Sequence, residues 1–572
     1  MLYVRATRWL SVQQLERRIA LLALLFALPS LASELQADDY LLREQLMQDG
    51  PLAAYVFTPR TAQARHELLL EQRSAGRMPW WADEHVQVRF FRPLSSLSLW
   101  LDFASGAPPW WMHLENCAIY AAIVWLAVAI YRQLGLTGAG LGWAALFFGL
   151  DMAFATPVGW ISARNTLLAA CFGFACILLH GRARNSGRPV LLALACVCFA
   201  LSLLSAELGL CALGYVAAHA LAVDRAAPWR RALVLSPYAV LAGSYLAFYI
   251  GAGYGVSHSA GYIDVVNAPG DALLNFVESI PVWLATTATL PLAGLRLVAP
   301  EARLPLLIAS LVVLAVLLPL LAAHLREQRS FCVGALLSLV PLATVMPQDR
   351  LRFFVALGVY GVLGAWVATD YDARERLRRS AVRVMWRLHG VILPLFFVPQ
   401  LFSVGLGFAG GGADSLDRAV PRAAAPITII LNPPSWYVPL YQAAMRAARA
   451  EPRPPTFQLY AGSQALQIAR TDDRTLEIYA ARGWCTTPLE GFRDLERSPF
   501  HVGERFTLAH LTVEVLELDA RSAPTRVRFK FDRPLEDPGI TFRAWSGSNI
   551  SAWTPPPVGG RLQLTAAGAL VM

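Results

Sequence analysis

The chain has 572 residues, 56% of them hydrophobic and 16% charged, with a formal net charge of +9. So much apolar sequence, laid out in long blocks separated by arginines, excludes a single soluble core and marks a polytopic membrane protein. The basic excess falls in short loops between apolar blocks, where it orients spans, so nucleic-acid binding is disfavoured.

Lys530 is the only lysine, so a cationic contact to phosphate has to come from arginine or a helix N-terminus. Seven cysteines (Cys117, Cys171, Cys176, Cys196, Cys198, Cys211 and Cys332) lie in apolar blocks, and only Cys485 lies outside them. Neither a disulfide nor a structural zinc site is expected.

The first apolar run, Ile19 to Ser33, comes after Arg5, Arg8, Arg17 and Arg18, which places the N-terminus in the cytoplasm. Ser30, Leu31 and Ala32 also fit a signal-peptide cleavage pattern. A helix from about Arg17 to Leu35 is long enough to cross if its ends snorkel, and a retained first helix is expected because it anchors the acidic stretch directly after it. That stretch is ELQADDY, residues 34 to 40, and it delivers the adjacent carboxylates Asp38 and Asp39 to the outer face, within reach of headgroups and water.

Residues 34–110 read as an external loop with charges throughout, holding interfacial helices over 41–47 and 62–73. Trp80, Trp81, Trp110 and Trp111 read as interface anchors. Further spans are predicted at about 112–131, 139–158, 163–181, 189–206, 208–223, 232–251, 303–323, 331–346, 353–369 and 389–408, which with the first helix makes eleven. The expected inside loops carry Arg132, then Arg182, Arg184 and Arg188, then Arg225, Arg230 and Arg231, then Arg326 and Arg329, then a run from Arg374 to Arg387. This alternation holds only if residues 276–295, with Glu278, Pro281, Pro291 and Gly294, form an external interfacial or re-entrant element. The membrane domain is thus 1–409.

A Gly- and Ala/Pro-rich linker is expected at 410–426, leading into a mainly β extracytoplasmic domain at 427–572. Strands are predicted at 427–431, 456–460, 466–470, 475–479, 511–518, 526–531 and 539–542, with one helix near 438–450. Ser435, His501 and His510 show no nucleophile-elbow spacing and read as ordinary surface residues.

Several stretches between spans carry a likeness to known proteins: ADDY at 37–40, FFRPLSSLSLWLD at 90–102 with HLEN at 113–116, WISARNTLLAA at 160–170, LSAEL at 204–208 and DRLRFF at 349–354. In this order they resemble the membrane-embedded C-fold glycosyltransferases (GT-C), particularly bacterial relatives of the transmembrane O-mannosyltransferases that carry tetratricopeptide repeats. The chain departs from that pattern in three ways. Ser205, Ala206 and Glu207 stand where a Ser-Lys-Glu triplet is usual, Asp151 and Phe154 stand in a region that usually carries histidines, and a β module replaces the repeats.

The resemblance implies a helical GT-C fold in a bacterial inner membrane with a periplasmic C-terminal domain. It implies transfer of a sugar from a polyprenyl-phosphate carrier to a protein, lipid or glycan acceptor. An acceptor hydroxyl is a weak nucleophile, so a carboxylate base is required, and Asp38 or Asp39 fits. Asp38, the first acid of the pair, is expected to be the base, with Asp39 turned toward loop arginines. The leaving phosphate needs fixed cations, and Arg92, Arg164, Arg350 and Arg352 are expected to converge on it. His113 and Glu207 are candidates for positioning substrate. Adjacent carboxylates can hold a divalent metal ion or work without one, so metal dependence is open. Two other readings are a non-catalytic component of envelope polysaccharide or glycoconjugate assembly with a degenerate version of the fold, and a transporter. No duplicated pattern of broken helices supports the latter.

The arginine alternation predicts a cytoplasmic N-terminus and an external C-terminal domain. A C-terminal alkaline phosphatase fusion should therefore be active; a reporter that works only in the cytoplasm, active at that position, contradicts the assignment.

Overall fold

The computed structural model describes residues 3, 6, 7, 10, 14–265, 267–408, 412–422, 427–487 and 492–568. Arg5 and Arg8, and residues 410, 411 and 423–426 of the expected linker, lie outside the described residues.

The apolar blocks fold as helices whose starts are marked by proline, a residue tolerated in the first turn because its missing N–H would be unbonded there anyway. Pro93, Pro109, Pro189, Pro228 and Pro269 each open a helix. Among the described residues seven helices are long and apolar enough to cross a membrane: Pro109–Gln133, Gly138–Gly159, Ile161–Ser186, Pro228–Gly251, Pro300–Glu327, Phe353–Asp370 and Arg376–Leu401. Pro189–Ser205, Glu207–Ala222 and Arg329–Thr344 are apolar but shorter. The first run forms only a 13-residue helix, Leu15–Ala27, continued by a 3-10 turn over Leu28–Ala32. It packs on Pro109–Gln133 through the buried Ile19, Ala23 and Ala27.

The bundle has an inside and a lipid-type outside. Phe147, Phe148, Phe154, Phe174, Phe353 and Phe354 are buried together, with the Phe154 and Phe353 rings stacked 4.0 Å apart. On Pro228–Gly251 and Pro300–Glu327, by contrast, Leu233, Val240, Leu304 and Val312 face outward, an arrangement that water would penalise and a bilayer would not. Residues 276–295 belong in part to a 20-residue helix, Pro269–Ala288, that packs against the helices at 303–327 and 353–370 and pairs Glu278 with Arg303 at 2.8 Å.

In the segment 34–110 the helices Asp38–Asp49 and Ala62–Ser74 form as expected. A two-stranded antiparallel sheet of Gln87–Arg89 with Gly255–Ser257 joins this segment to the one after Pro228–Gly251, a long-range pairing not visible in either segment alone. The linker expectation is corrected: Asp414–Ala419 is a helix, and its buried Asp417 accepts a 2.6 Å hydrogen bond from Arg446.

The C-terminal domain has two sheets. One is four-stranded and mixed, in the order Asn549–Ala552, Ile540–Ser546, Ile427–Ile430, Thr456–Gln458. The other is six-stranded and antiparallel, in the order Arg561–Leu564, Leu466–Arg470, Thr475–Ala480, Pro524–Phe531, Leu511–Leu518, Arg505–Thr507. The helix Tyr437–Ala448 lies between this domain and the acidic motif.

Trp80 and Trp81 are not membrane anchors. Both are 1% exposed inside the C-terminal domain, where the Trp80 indole packs among Trp484, Phe500, Phe506 and Phe529 and donates to the Leu459 carbonyl at 2.9 Å. The chain enters beside Gly76, whose φ of +73° and contact with the Thr456 carbonyl leave no room for a Cβ. Trp110 and Trp111 are exposed, as an interface position requires.

Because Trp80 belongs to the distal core, Trp80→Ala should destabilise the C-terminal domain by about 3–5 kcal/mol. Limited proteolysis should then cut within 427–568 while the helical bundle stays protected; unchanged resistance would contradict this role.

Candidate active site

The acidic motif sits where the chain turns from the first apolar run into the helix Asp38–Asp49. Ala37, directly before it, holds φ 46° and ψ −115°, a backbone conformation costly for a residue with a Cβ. That turn places both acids in the first helical turn, where exposed N–H groups favour negative charge.

The two carboxylates have separate surroundings. Asp39 is 1% exposed and accepts three hydrogen bonds: from the Gln36 N–H at 2.8 Å, the Ser162 N–H at 2.7 Å and the Ser162 hydroxyl at 2.5 Å. It clamps the loop before the helix to the WIS segment, and it does not turn toward loop arginines as expected. Burial pushes its pKa up to about 7, against the pull of its three donors.

Asp38 instead accepts a 2.6 Å hydrogen bond from the Tyr441 hydroxyl, on the helix Tyr437–Ala448. Burial raises its pKa, while Tyr441 and the nearby charge of Arg350 lower it.

Three of the four arginines are paired with carboxylates. Arg164 is fully buried and saturated: its Nε donates to Asn116 at 2.9 Å, one Nη to Asp102 at 2.5 Å and Ser98 at 3.0 Å, the other to the Met112 carbonyl at 3.0 Å, with Glu115 at 2.8 Å. Arg352 is equally buried, bound to Asp151 at 2.5 Å and Asp349 at 3.1 Å, with the Tyr360 hydroxyl completing the Asp151 shell at 2.8 Å. Arg92 pairs with Glu207 at 2.8 Å and lies over the Phe90 ring, and Tyr249 holds the other Glu207 oxygen at 3.1 Å. Arg350 alone of the four has no hydrogen bond or ion pair among the described residues; its guanidinium lies 5.1 Å over the Trp160 ring, on the side of Asp38.

Glu207 therefore neutralises Arg92, and His113 is buried in the helix Pro109–Gln133 beside the Glu34 backbone. As placed, the two acids make a poor donor set for a divalent ion. The oxygens of Asp39 are taken by three protein donors, Asp38 faces a guanidinium, and no group of three or more His, Cys, Asp or Glu residues suited to a metal occurs among the described residues.

Sequence reasoning misses Ser162 and Tyr441. Ser162 lies inside the WIS motif, but its partner is 123 residues away. Tyr441 is 403 residues from Asp38 and carries no local signal.

The chain is a multi-pass helical membrane protein in which a C-terminal β domain closes over an acidic motif at one end of the bundle. No family model and no curated protein matches it. Among solved structures it is similar to an oligosaccharyltransferase from the archaeon Archaeoglobus fulgidus, solved with an inhibitory peptide and a dolichol-phosphate (11% identity, TM-score 0.40, covering 76% of this chain and 63% of that one). It is also similar to an arabinofuranosyltransferase from Mycobacteria (15% identity, TM-score 0.34, covering 79% of this chain and 31% of that one). The chain thus spans less than two thirds of the length of either.

The Asp39 environment makes a pH prediction. A folded pKa of about 7 against an ordinary 3.8 means the fold favours the protonated acid, so this contribution is complete below pH 3.8 and lost as pH rises through 7. Asp39→Asn should lower Tm overall, because one donor loses its acceptor, and should flatten the decline of Tm over that window. A variant whose Tm falls with pH as steeply as the wild type would contradict the assignment.

Proposed function

We propose that this protein is a membrane glycosyltransferase that moves a sugar from a polyprenyl-phosphate carrier to an acceptor hydroxyl at the periplasmic face, with Asp38 as general base. The observation that carries the reading is the pairing of a partly buried carboxylate at a helix N-terminus with one uncommitted guanidinium, Arg350. The order of motifs along the chain supports the same class.

In this reading Asp38 takes the acceptor proton as the acceptor oxygen bonds to the anomeric carbon. The bond from that carbon to the carrier phosphate breaks, and its electron pair leaves on the phosphate. Arg350 stabilises the charge that develops there, in a setting where a fixed cation needs no reorganisation. Tyr441 occupies one Asp38 oxygen at 2.6 Å and so fixes the carboxylate with its other oxygen toward the acceptor. Burial that raises the Asp38 pKa strengthens it as a base, provided it is ionised at working pH.

The non-catalytic assembly role gains support from the small number of free groups, since three of the four candidate arginines are neutralised by carboxylates.

One experiment separates the two. Asp38→Asn keeps shape and removes basicity, and should lower the transfer rate by on the order of 100-fold or more with carrier binding largely kept. Arg350→Gln should weaken retention of a polyprenyl-phosphate sugar as well as turnover. Normal transfer by both variants would place the reaction centre elsewhere, and absence of transfer by the wild-type chain itself would leave the assembly role.

A further inference from the structure

A cleft of about 680 Å³ opens between the acidic motif, the junction of the helices Pro93–Ser105 and Pro109–Gln133, the chain at 402–406 and the helix Tyr437–Ala448. It touches the reaction centre through Ala37 and Tyr441, yet Arg350 and Trp160 are not among its walls. Its lining is of two kinds. One is apolar, formed by Phe103, Met112, Phe402, Leu406 and Met445, with Leu406 70% exposed.

The other carries Glu34, Tyr40, Arg43 and Asp414, and none of these side chains has a hydrogen bond or ion pair with another described residue. Arg449 joins them at the rim, bound to Asp417 at 3.2 Å. Elsewhere around the site the buried charges are matched, as with Arg164, Arg352 and Arg446. Acids, a phenol and a guanidinium beside apolar side chains suit a ligand with hydroxyls, an anionic group and a hydrocarbon chain.

We propose that this cleft receives the acceptor and that the acceptor is a lipid-anchored saccharide, its chain along Phe402 and Leu406, its hydroxyls on Glu34, Tyr40 and Asp414, and the anion of its anchor on Arg43. The proposal rests on the glycosyl-transfer reading, and it assigns donor and acceptor to different sides of Asp38: the donor phosphate toward Arg350, the acceptor toward Tyr441. The β domain then acts in recognition, since Tyr441, Met445 and Arg449 belong to its helix or the residue that caps it.

The test is binding to the full-length chain in nanodiscs, read by native mass spectrometry. The probe is undecaprenyl-diphosphate-linked N-acetylglucosamine, and phosphatidylglycerol is the competitor lacking a sugar. Ala448→Trp, and Ala107→Trp should the first fail to fold, fill the cleft; Arg43→Gln removes its free cation. Each should weaken probe binding about tenfold or more, with phosphatidylglycerol unable to displace the probe at equal concentration. Wild-type binding by the filled and Arg43→Gln variants overturns the proposal, as does equal displacement by phosphatidylglycerol, which would make this a general lipid groove. Asp38→Asn should bind the probe as the wild type does. If that variant still transfers sugar, the reaction centre is misplaced even though the cleft binds; if it is inactive while the filled variants bind normally, the reaction stands and the acceptor cleft falls.

Discussion

A guanidinium inside an apolar bundle persists only beside carboxylates, and two such pairs hold the site in place. Removing one partner of a buried pair costs on the order of 3–5 kcal/mol, because the remaining charge is stranded away from water. Arg164, held by Asp102 and Glu115, and Arg352, held by Asp151 and Asp349, are anchors of this kind. Each lies two residues after a group that forms the site. Arg164 fixes the short turn containing Ser162, which clamps Asp39; Arg352 fixes the 3-10 turn Asp349–Leu351, which presents Arg350. Charges that look in sequence like ligands for a phosphate are thus paired with carboxylates in the structure.

The same logic separates the two acids. Asp39 has its oxygens taken by backbone and hydroxyl donors and locks the entry to the helix, and the strained Ala37 is tolerated because this clamp over-determines the turn. Asp38, its neighbour in the chain, is left facing a phenol and a cation. Consecutive side chains on a helix diverge by about 100°, so one acid can serve structure while the other is exposed to chemistry.

The C-terminal domain belongs to the site as well as to the chain end. Its core takes in Trp80 and Trp81 from the segment 34–110, while its helix Tyr437–Ala448 reaches the acidic motif through Tyr441. Arg453 pairs with Glu44 at 2.8 Å, and Ser498 donates to Asp83 at 2.5 Å, so the two regions are stitched at several points. An exchange of core aromatics makes the packing of this domain a condition for the geometry around Asp38.

The sequence by itself determined the features that depend on local pattern. Apolar runs located most of the long helices to within a few residues, although the last expected span, 389–408, forms over Arg376–Leu401; alternating apolar positions located most strands of the β domain, and the charge at 38–39 located the acidic turn. These are legible because periodicity and capping act between neighbours in the chain. Only the tertiary structure decided which charges are spent: Asp151, at a position departing from the resembled pattern, neutralises Arg352 across 201 residues, and Glu207 neutralises Arg92 across 115. It also moved Trp80 from an expected interface position into a distant core and brought Tyr441 to Asp38. The physical reason is that a charge or an indole reads the same in sequence whether water, lipid or a remote partner satisfies it, and only packing selects among them.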